Sequence, residues 1–113
     1  MRGILLFTLV LAGCGPSADE KMIVEGKAAV ASHLRDPGSA TFRNLTLFKP
    51  TTLCGEVNAK NGFGGYAGFE AFVYDGRNKI VKIHETVLTD DEELSRLRNI
   101  GFQAMHSAFC KQR

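Results

Sequence analysis

Apolar and polar residues alternate with a period of two on both sides of a glycine-rich stretch in the middle of the chain. Leu53, Gly55 and Val57 alternate with Cys54, Glu56 and Asn58, and Ala67, Phe69, Ala71 and Val73 alternate with Gly68, Glu70, Phe72 and Tyr74. That period predicts two half-buried strands. Between them, Asn61-Gly62 tolerates the positive φ of a tight turn. Gly64, Gly65 and Gly68 follow at a density that costs backbone entropy unless the chain needs unusual dihedrals or close approach. The expected element is a hairpin with a long connection carrying Asn61, Phe63, Gly64, Gly65 and Tyr66, aromatic at its tip.

The flanking segments extend the sheet. Ser39 to Lys49 reads as a strand with Phe42, Leu45, Leu47 and Phe48 as its apolar content, and its broken alternation at Leu47-Phe48 suggests a bulge or twisted end. Pro50-Thr51-Thr52 makes the next turn. Asp75-Gly76-Arg77-Asn78 joins the third strand to a fourth, Arg77 to Leu88, with Val81, Ile83 and Val87 on one face. Toward both ends the period lengthens to that of a helix. Ser17 and Glu20 have capping-box spacing, so a helix starts near Ala18. Ile23, Val30 and Leu34 share one face, and Arg35-Asp36-Pro37-Gly38 stops the helix. Thr89 and Glu92 repeat the capping pattern, with Asp90 and Asp91 suited to the helix N-terminus. Leu94, Leu97, Gly101, Ala104, Met105 and Ala108 then follow helical spacing to Phe109, with Arg96 and Arg98 outward and Gly101 permitting close packing on the sheet. The expected fold is α+β, in the order α-β-β-β-β-α: an antiparallel sheet of about four strands with an N-terminal and a C-terminal helix.

The start of the chain is patterned differently. Arg2 precedes an apolar run from Ile4 to Ala12, too short for the roughly twenty residues a membrane span needs but suited to a signal peptide. It ends in Leu11-Ala12-Gly13-Cys14, which resembles the lipobox of bacterial lipoproteins. The resemblance implies cleavage before Cys14, lipidation of that residue by diacylglyceryl and palmitate-type acyl chains, and stable membrane anchoring. Gly15, where aspartate would imply inner-membrane retention, favours the outer membrane, facing the periplasm. Residues 1–13 are then a signal peptide, 14–18 a lipidated tether, and 19–113 one small domain. With Cys14 lipidated, Cys54 and Cys110 remain as an even pair in an oxidising compartment, and a Cys54–Cys110 disulfide is expected. Composition adds little: 44% hydrophobic and 23% charged residues are ordinary for a globular chain. A net charge of +2 with scattered basic residues argues against nucleic acid as a partner.

Motif-level chemistry is thin. Gly62 to Ala67 fits G-x-G-x-x-A, but the glycines lead into a strand instead of opening a helix, so the dinucleotide fingerprint fails on context. Glu56 and Glu70, facing each other across the hairpin with Lys60 nearby, would suit a glycosidase only in a cleft. His84 beside Glu85, and Asp36 and His33 near the first helix end, read as solvated positions. His106 and Cys110 lie four apart and would ligate zinc with Cys54 only as free thiols, so no metal or cofactor is expected. A disulfide would equally remove a Cys–His nucleophile.

Three runs between Val30 and Phe69 are similar to a group of small uncharacterised exported proteins and lipoproteins of proteobacteria and their prophages. They are His33-Leu34-Arg35-Asp36-Pro37-Gly38-Ser39-Ala40-Thr41-Phe42-Arg43-Asn44, Cys54-Gly55-Glu56-Val57-Asn58-Ala59-Lys60-Asn61 and Gly64-Gly65-Tyr66-Ala67-Gly68-Phe69. That resemblance implies a common domain and carries no catalytic residue. The expected function is a non-enzymatic binding module on the envelope, held to the membrane through Cys14, with an envelope protein or cell-wall component as partner. The alternatives are a prophage-type lipoprotein that blocks a receptor or inhibits a toxic or lytic enzyme, and a small hydrolase using Glu56, Glu70 or His84.

Overall fold

A computed structural model describes Gly3, Gly15 and residues 17–48, 50–61, 63–66, 68–85 and 91–111. The expected signal peptide apart from Gly3, and Cys14, Gly62, Ala67, Val87 and Thr89, therefore lie outside the described residues. The element order is α1 (Ala18–Ala31), a 3-10 turn (Pro37–Ser39), β1 (Thr41–Phe48), β2 (Thr52–Asn58), β3 (Glu70–Asp75), β4 (Ile80–Ile83) and α2 (Glu92–Phe109). The strands form one antiparallel sheet in the order β1-β2-β3-β4. This is the α+β arrangement that the residue pattern predicts. Among the described residues no helix is long and apolar enough to cross a membrane.

The two helices cover opposite faces. Val30 of α1 packs with Leu53, Val57, Phe72 and Tyr74. Phe102 of α2 packs with Cys54 and Val73, the alternate residues of the same strands. Toward their turn end β2 and β3 are thus buried on both sides, from Thr52 to Cys54 and from Phe72 to Asp75, while Glu56 and Glu70 nearer the other end stay partly exposed. This corrects the expectation of half-buried strands: a helix on each face leaves no solvent side at the sheet centre.

Several local features depart from the sequence reading. α1 ends at Ala31, short of Arg35, because the Ser32 hydroxyl donates to the Ala29 carbonyl at 2.6 Å and competes with the next helical turn. The irregularity of β1 falls between Arg43 and Thr46, where Asn44 has φ 54°, while Leu47 and Phe48 pair regularly with Leu53 and Thr52. Asparagine is among the few residues that accept that backbone cheaply. In the β3–β4 turn Lys79, not Gly76, takes the positive φ, at 57°. Gly76 is needed for room, since a Cβ there would lie 2.6 Å from Met22 Cε and 2.9 Å from the Thr51 carbonyl.

α2 differs most. Its buried residues are Ser95 and Phe102, whereas Leu94, Leu97 and Ile100 are 41%, 58% and 65% exposed. Gly101 does not mediate close packing on the sheet, since the nearest atom to a Cβ there is Lys82 Nζ at 4.0 Å. Two contacts set the roll of the helix. Phe102 sits between the His84 and His106 rings, with centroids 5.4 and 5.3 Å away. At the helix end, Cys110 is bonded to Cys54 with a Cα–Cα distance of 6.0 Å.

α1 is seated through Gly26. A Cβ at that position would lie 2.6 Å from Leu53 Cδ2 and 3.0 Å from Tyr74 Cδ1. Beside it the Tyr74 hydroxyl donates to Glu25 Oε1 at 2.6 Å, and Lys79 pairs with the same carboxylate. Met22 against Gly76 places the start of α1 over the β3–β4 turn, while the Lys60 amide donating to Ser39 Oγ at 2.9 Å ties the segment after α1 to the other end of the sheet. α1 therefore runs from the end bearing the β1–β2 and β3–β4 turns to the end bearing the β2–β3 connection.

Gly26→Ala should destabilise the fold although alanine is the better helix former. Overpacking costs about 1–3 kcal/mol, against a propensity gain of about 1 kcal/mol. A lowered urea midpoint with unchanged m-value would show it, and an unchanged or raised midpoint would refute the seat. Opening the Cys54–Cys110 link, which closes 56 residues, should cost about 4 kcal/mol on the chain-entropy account. The check is urea unfolding of Cys110→Ser beside the parent, and equal midpoints would contradict it.

Candidate functional site

The β2–β3 connection is organised by two asparagine side chains. Asn61 Oδ1 accepts from the Phe63 amide at 2.9 Å and the Gly65 amide at 3.3 Å. The Asn61 backbone closes the same loop, its amide donating to the Gly65 carbonyl at 2.8 Å and its carbonyl accepting from the Gly64 amide at 3.0 Å. Gly64 takes φ +79°, which only glycine adopts at no cost. Below the tip, Lys60 and Tyr66 form an antiparallel bridge, and Lys60 Nζ lies 5.9 Å from the Tyr66 ring centroid. At the base, Asn58 Oδ1 accepts from the Gly68 amide at 3.1 Å, where φ is +105°. The Arg43 guanidinium stacks 3.7 Å over Phe69.

The backbone is thus tied while the tip side chains stand free of the fold. Phe63 is fully exposed and Tyr66 is 53% exposed. The structure brings Asn61, Phe63, Gly64, Gly65 and Tyr66 together in one loop, at the end of the sheet remote from the start of α1. An exposed phenyl ring with a phenol and an ammonium group beside it suits capture of an apolar or aromatic feature carrying a hydrogen-bond acceptor or negative charge. The asparagine clamps and the Arg43–Phe69 stack were not anticipated from sequence. Asn58 and Asn61 flanking a glycine run was the available signal, because asparagine bonds the backbone two residues on.

The ionisable candidates do not converge. Register places Glu70 opposite Val57 and Glu56 opposite Ala71, so the two carboxylates leave opposite faces of the hairpin. Glu56 is bound by Arg43 at 3.1 Å and by Asn44 Nδ2 at 2.6 Å. The Arg43 bond, then the Asn44 bond, hold its carboxyl below the usual range. Lys60 lies with Tyr66, not with the glutamates. Glu70 contacts His84 Nδ1 at 3.4 Å. Glu85 is met by Arg98 at 3.2 Å, and its backbone exchanges two hydrogen bonds with the Asn99 side chain, at 2.8 and 2.9 Å. His33 Nδ1 lies 2.9 Å from the Ala29 carbonyl, and Asp36 is exposed. His106 stacks on Phe102, and Cys110 is bonded to Cys54. Among the described residues no three His, Cys, Asp or Glu side chains cluster as metal ligands would.

At the opposite end an open groove of about 860 Å³ lies between the β1–β2 turn, the β3–β4 turn and the end of α2. Phe48, Thr52, Asp75, Arg77, Phe109 and Lys111 line it. Its carboxylate is committed: Asp75 accepts from the Arg77 amide at 3.0 Å and from Asn78 Nδ2 at 2.7 Å. Burial alone would raise the Asp75 pKa, but those bonds outweigh it and the net shift is downward.

Comparison of the chain with protein families, with curated proteins and with solved structures finds no match in any of the three.

Three depressed carboxyls define the expected acid response. Glu25 is lowered chiefly by Lys79 and then by Tyr74, and Glu56 and Asp75 are lowered as described. Each binds its proton more weakly in the fold than in the unfolded chain, where the ordinary values are 4.5 for Glu and 3.8 for Asp. Their stabilisation is complete above those values and is lost as pH falls through the folded ones. Urea midpoints should therefore be level above about pH 5 and decline below it. Glu56→Gln should flatten part of that decline, and a slope identical to the parent's would exclude a contribution from Glu56.

Proposed function

We propose that this chain is a lipid-anchored envelope protein that acts as a non-enzymatic interaction module, with the Asn61–Tyr66 loop as its contact surface. One observation carries the reading: Phe63 is wholly exposed on a loop whose Phe63 and Gly65 amides are bonded to Asn61 Oδ1. Leaving a phenyl ring in water has no benefit to the fold, whereas an aromatic on a hydrogen-bonded loop costs little backbone freedom when a partner covers it. The separation of the candidate carboxylates onto opposite faces supports binding over hydrolysis.

The anchor reading rests on the Leu11-Ala12-Gly13-Cys14 pattern and fits the orientation of α1. Ser17 caps that helix, its side chain accepting from the Glu20 amide at 3.1 Å. A tether at Cys14 would therefore attach at the turn end of the domain and direct the Phe63 loop away from the bilayer. By this reading the protein sits on the periplasmic side of the outer membrane, and its partner is an envelope protein or a cell-wall component.

Two measurements test the reading. Cys14→Ser should move the full-length chain from the membrane fraction to the soluble fraction of a Gram-negative host; retention in the membrane would refute lipid anchoring. Immobilised protein should capture a partner from envelope extract, and Phe63→Ala with Tyr66→Ala should weaken that capture by at least about tenfold, the scale of an interface hot spot. The melting temperature of the double variant should not change. Equal capture by parent and variant would remove the loop from the function.

A further inference from the structure

The outward face of α2 is an apolar seam with no partner among the described residues. Leu94, Leu97, Gly101, Ala104 and Ala108 recur at alternating spacings of three and four, the a and d positions of a coiled coil. Leu94, Leu97, Ala104 and Ala108 point away from the sheet, because Ser95 and Phe102 occupy the buried side, while Gly101 is half-buried, with Lys82 Nζ 4.0 Å from where its Cβ would be. Leu94 and Leu97 are 41% and 58% exposed, Ile100 on the flank is 65% exposed, and Ala104 and Ala108 are exposed too. A leucine seam facing water is not required by the fold, whose α2 contacts are made by Phe102, Met105 and Cys110.

We infer that this seam is where a second copy of the chain packs, α2 against α2 in parallel about a two-fold axis. Three features select that occupant. The seam is self-complementary: a two-fold along the helix sets each apolar residue against its own equivalent, and Ala104 and Ala108 let the backbones approach closely over the C-terminal half. The flanks match in charge. Glu93 and Arg98 hold the g and e positions of successive heptads, so each Glu93 faces the second copy's arginine, which also pairs with its own Glu85 at 3.2 Å. The direction follows from the anchor. α2 runs from Asn99 beside Glu85 to Cys110 beside Cys54, ending at the turn end where α1 begins. Parallel helices therefore put both tethers at one end, as attachment to a single membrane requires; this choice of direction rests on the lipid-anchor reading above.

The contact is small. An 18-residue helix is about 27 Å long, and one helix pair buries no more than about 1,200 Å², the low end for specific association. The dimer is accordingly weak in dilute solution and is held together by the high local concentration of co-anchored chains.

The test uses full-length chains with one added thiol, Leu94→Cys, Gly101→Cys or Ala108→Cys, oxidised in the envelope of a Gram-negative host and run without reductant. A parallel dimer links through all three positions. Adding Leu97→Glu to the Leu94→Cys chain should lower the linked fraction about tenfold, because facing carboxylates repel at the seam. Linkage through Gly101→Cys alone would mean an antiparallel pair and overturn the proposal. So would linkage only to a different protein, or no linkage from chains that fractionate with the membrane. If the chains fractionate as soluble, the anchor reading has failed, and the same three variants oxidised at high protein concentration decide the dimer by itself.

Discussion

Burial of β2 and β3 on both faces toward their turn end is the constraint on which the rest of the fold depends. A central pair with no solvent side needs a cover above and below, and those covers come from opposite ends of the chain. On one side the cover is tight: Gly26 lets α1 settle onto Leu53 and Tyr74. On the other it is sparse, since Phe102 is the only large fully covered side chain that α2 contributes among the described residues. The bond from Cys110 to Cys54 compensates for that thinness by fixing the helix at one end. A small core gains from such a covalent staple, which limits the freedom of the unfolded chain.

Much of this was legible in the residues. The period-two runs located the strands, the capping spacing at Ser17 located α1, and the cysteine count pointed to a single remaining pair. What was not legible has identifiable causes. The roll of α2 was misread because its strongest apolar period, through Leu94, Leu97, Ala104 and Ala108, was taken to face the sheet, whereas Phe102 and Ser95 face it instead. Periodicity reports that a helix has an apolar side and does not report what covers it. Gly76 lies in the turn that Asp-Gly signals, but its lack of a side chain also serves Met22, which is remote in sequence and was not legible there. The β1 irregularity moved to Asn44 because tolerance of positive φ, not a break in alternation, decides where a strand can kink.

The candidate contact loop was legible in the sequence, and the hydrogen bonds that tie its backbone were not. Glycine-rich segments suggest mobility, yet Asn61 gathers the Phe63 and Gly65 amides onto one oxygen, and Asn58 closes the base through Gly68. The glycines supply dihedrals; the asparagines supply restraint. The ionisable residues that sequence placed near one another were separated by register, because a shift of one residue sends neighbouring side chains to opposite faces of a sheet.

The seating of α1 also has a mechanical meaning. Two glycines fix the helix against sliding: Gly26 receives Leu53 and Tyr74, and Gly76 receives Met22. α1 runs along the sheet from the turn end, so tension applied ahead of Ser17 pulls along the helix axis. That tension loads the Gly26 seat, the Tyr74–Glu25 bond and the Lys79 pair together, in shear, rather than unzipping them in succession. A pull on the amino-terminal end along the helix axis therefore meets contacts that must give way together.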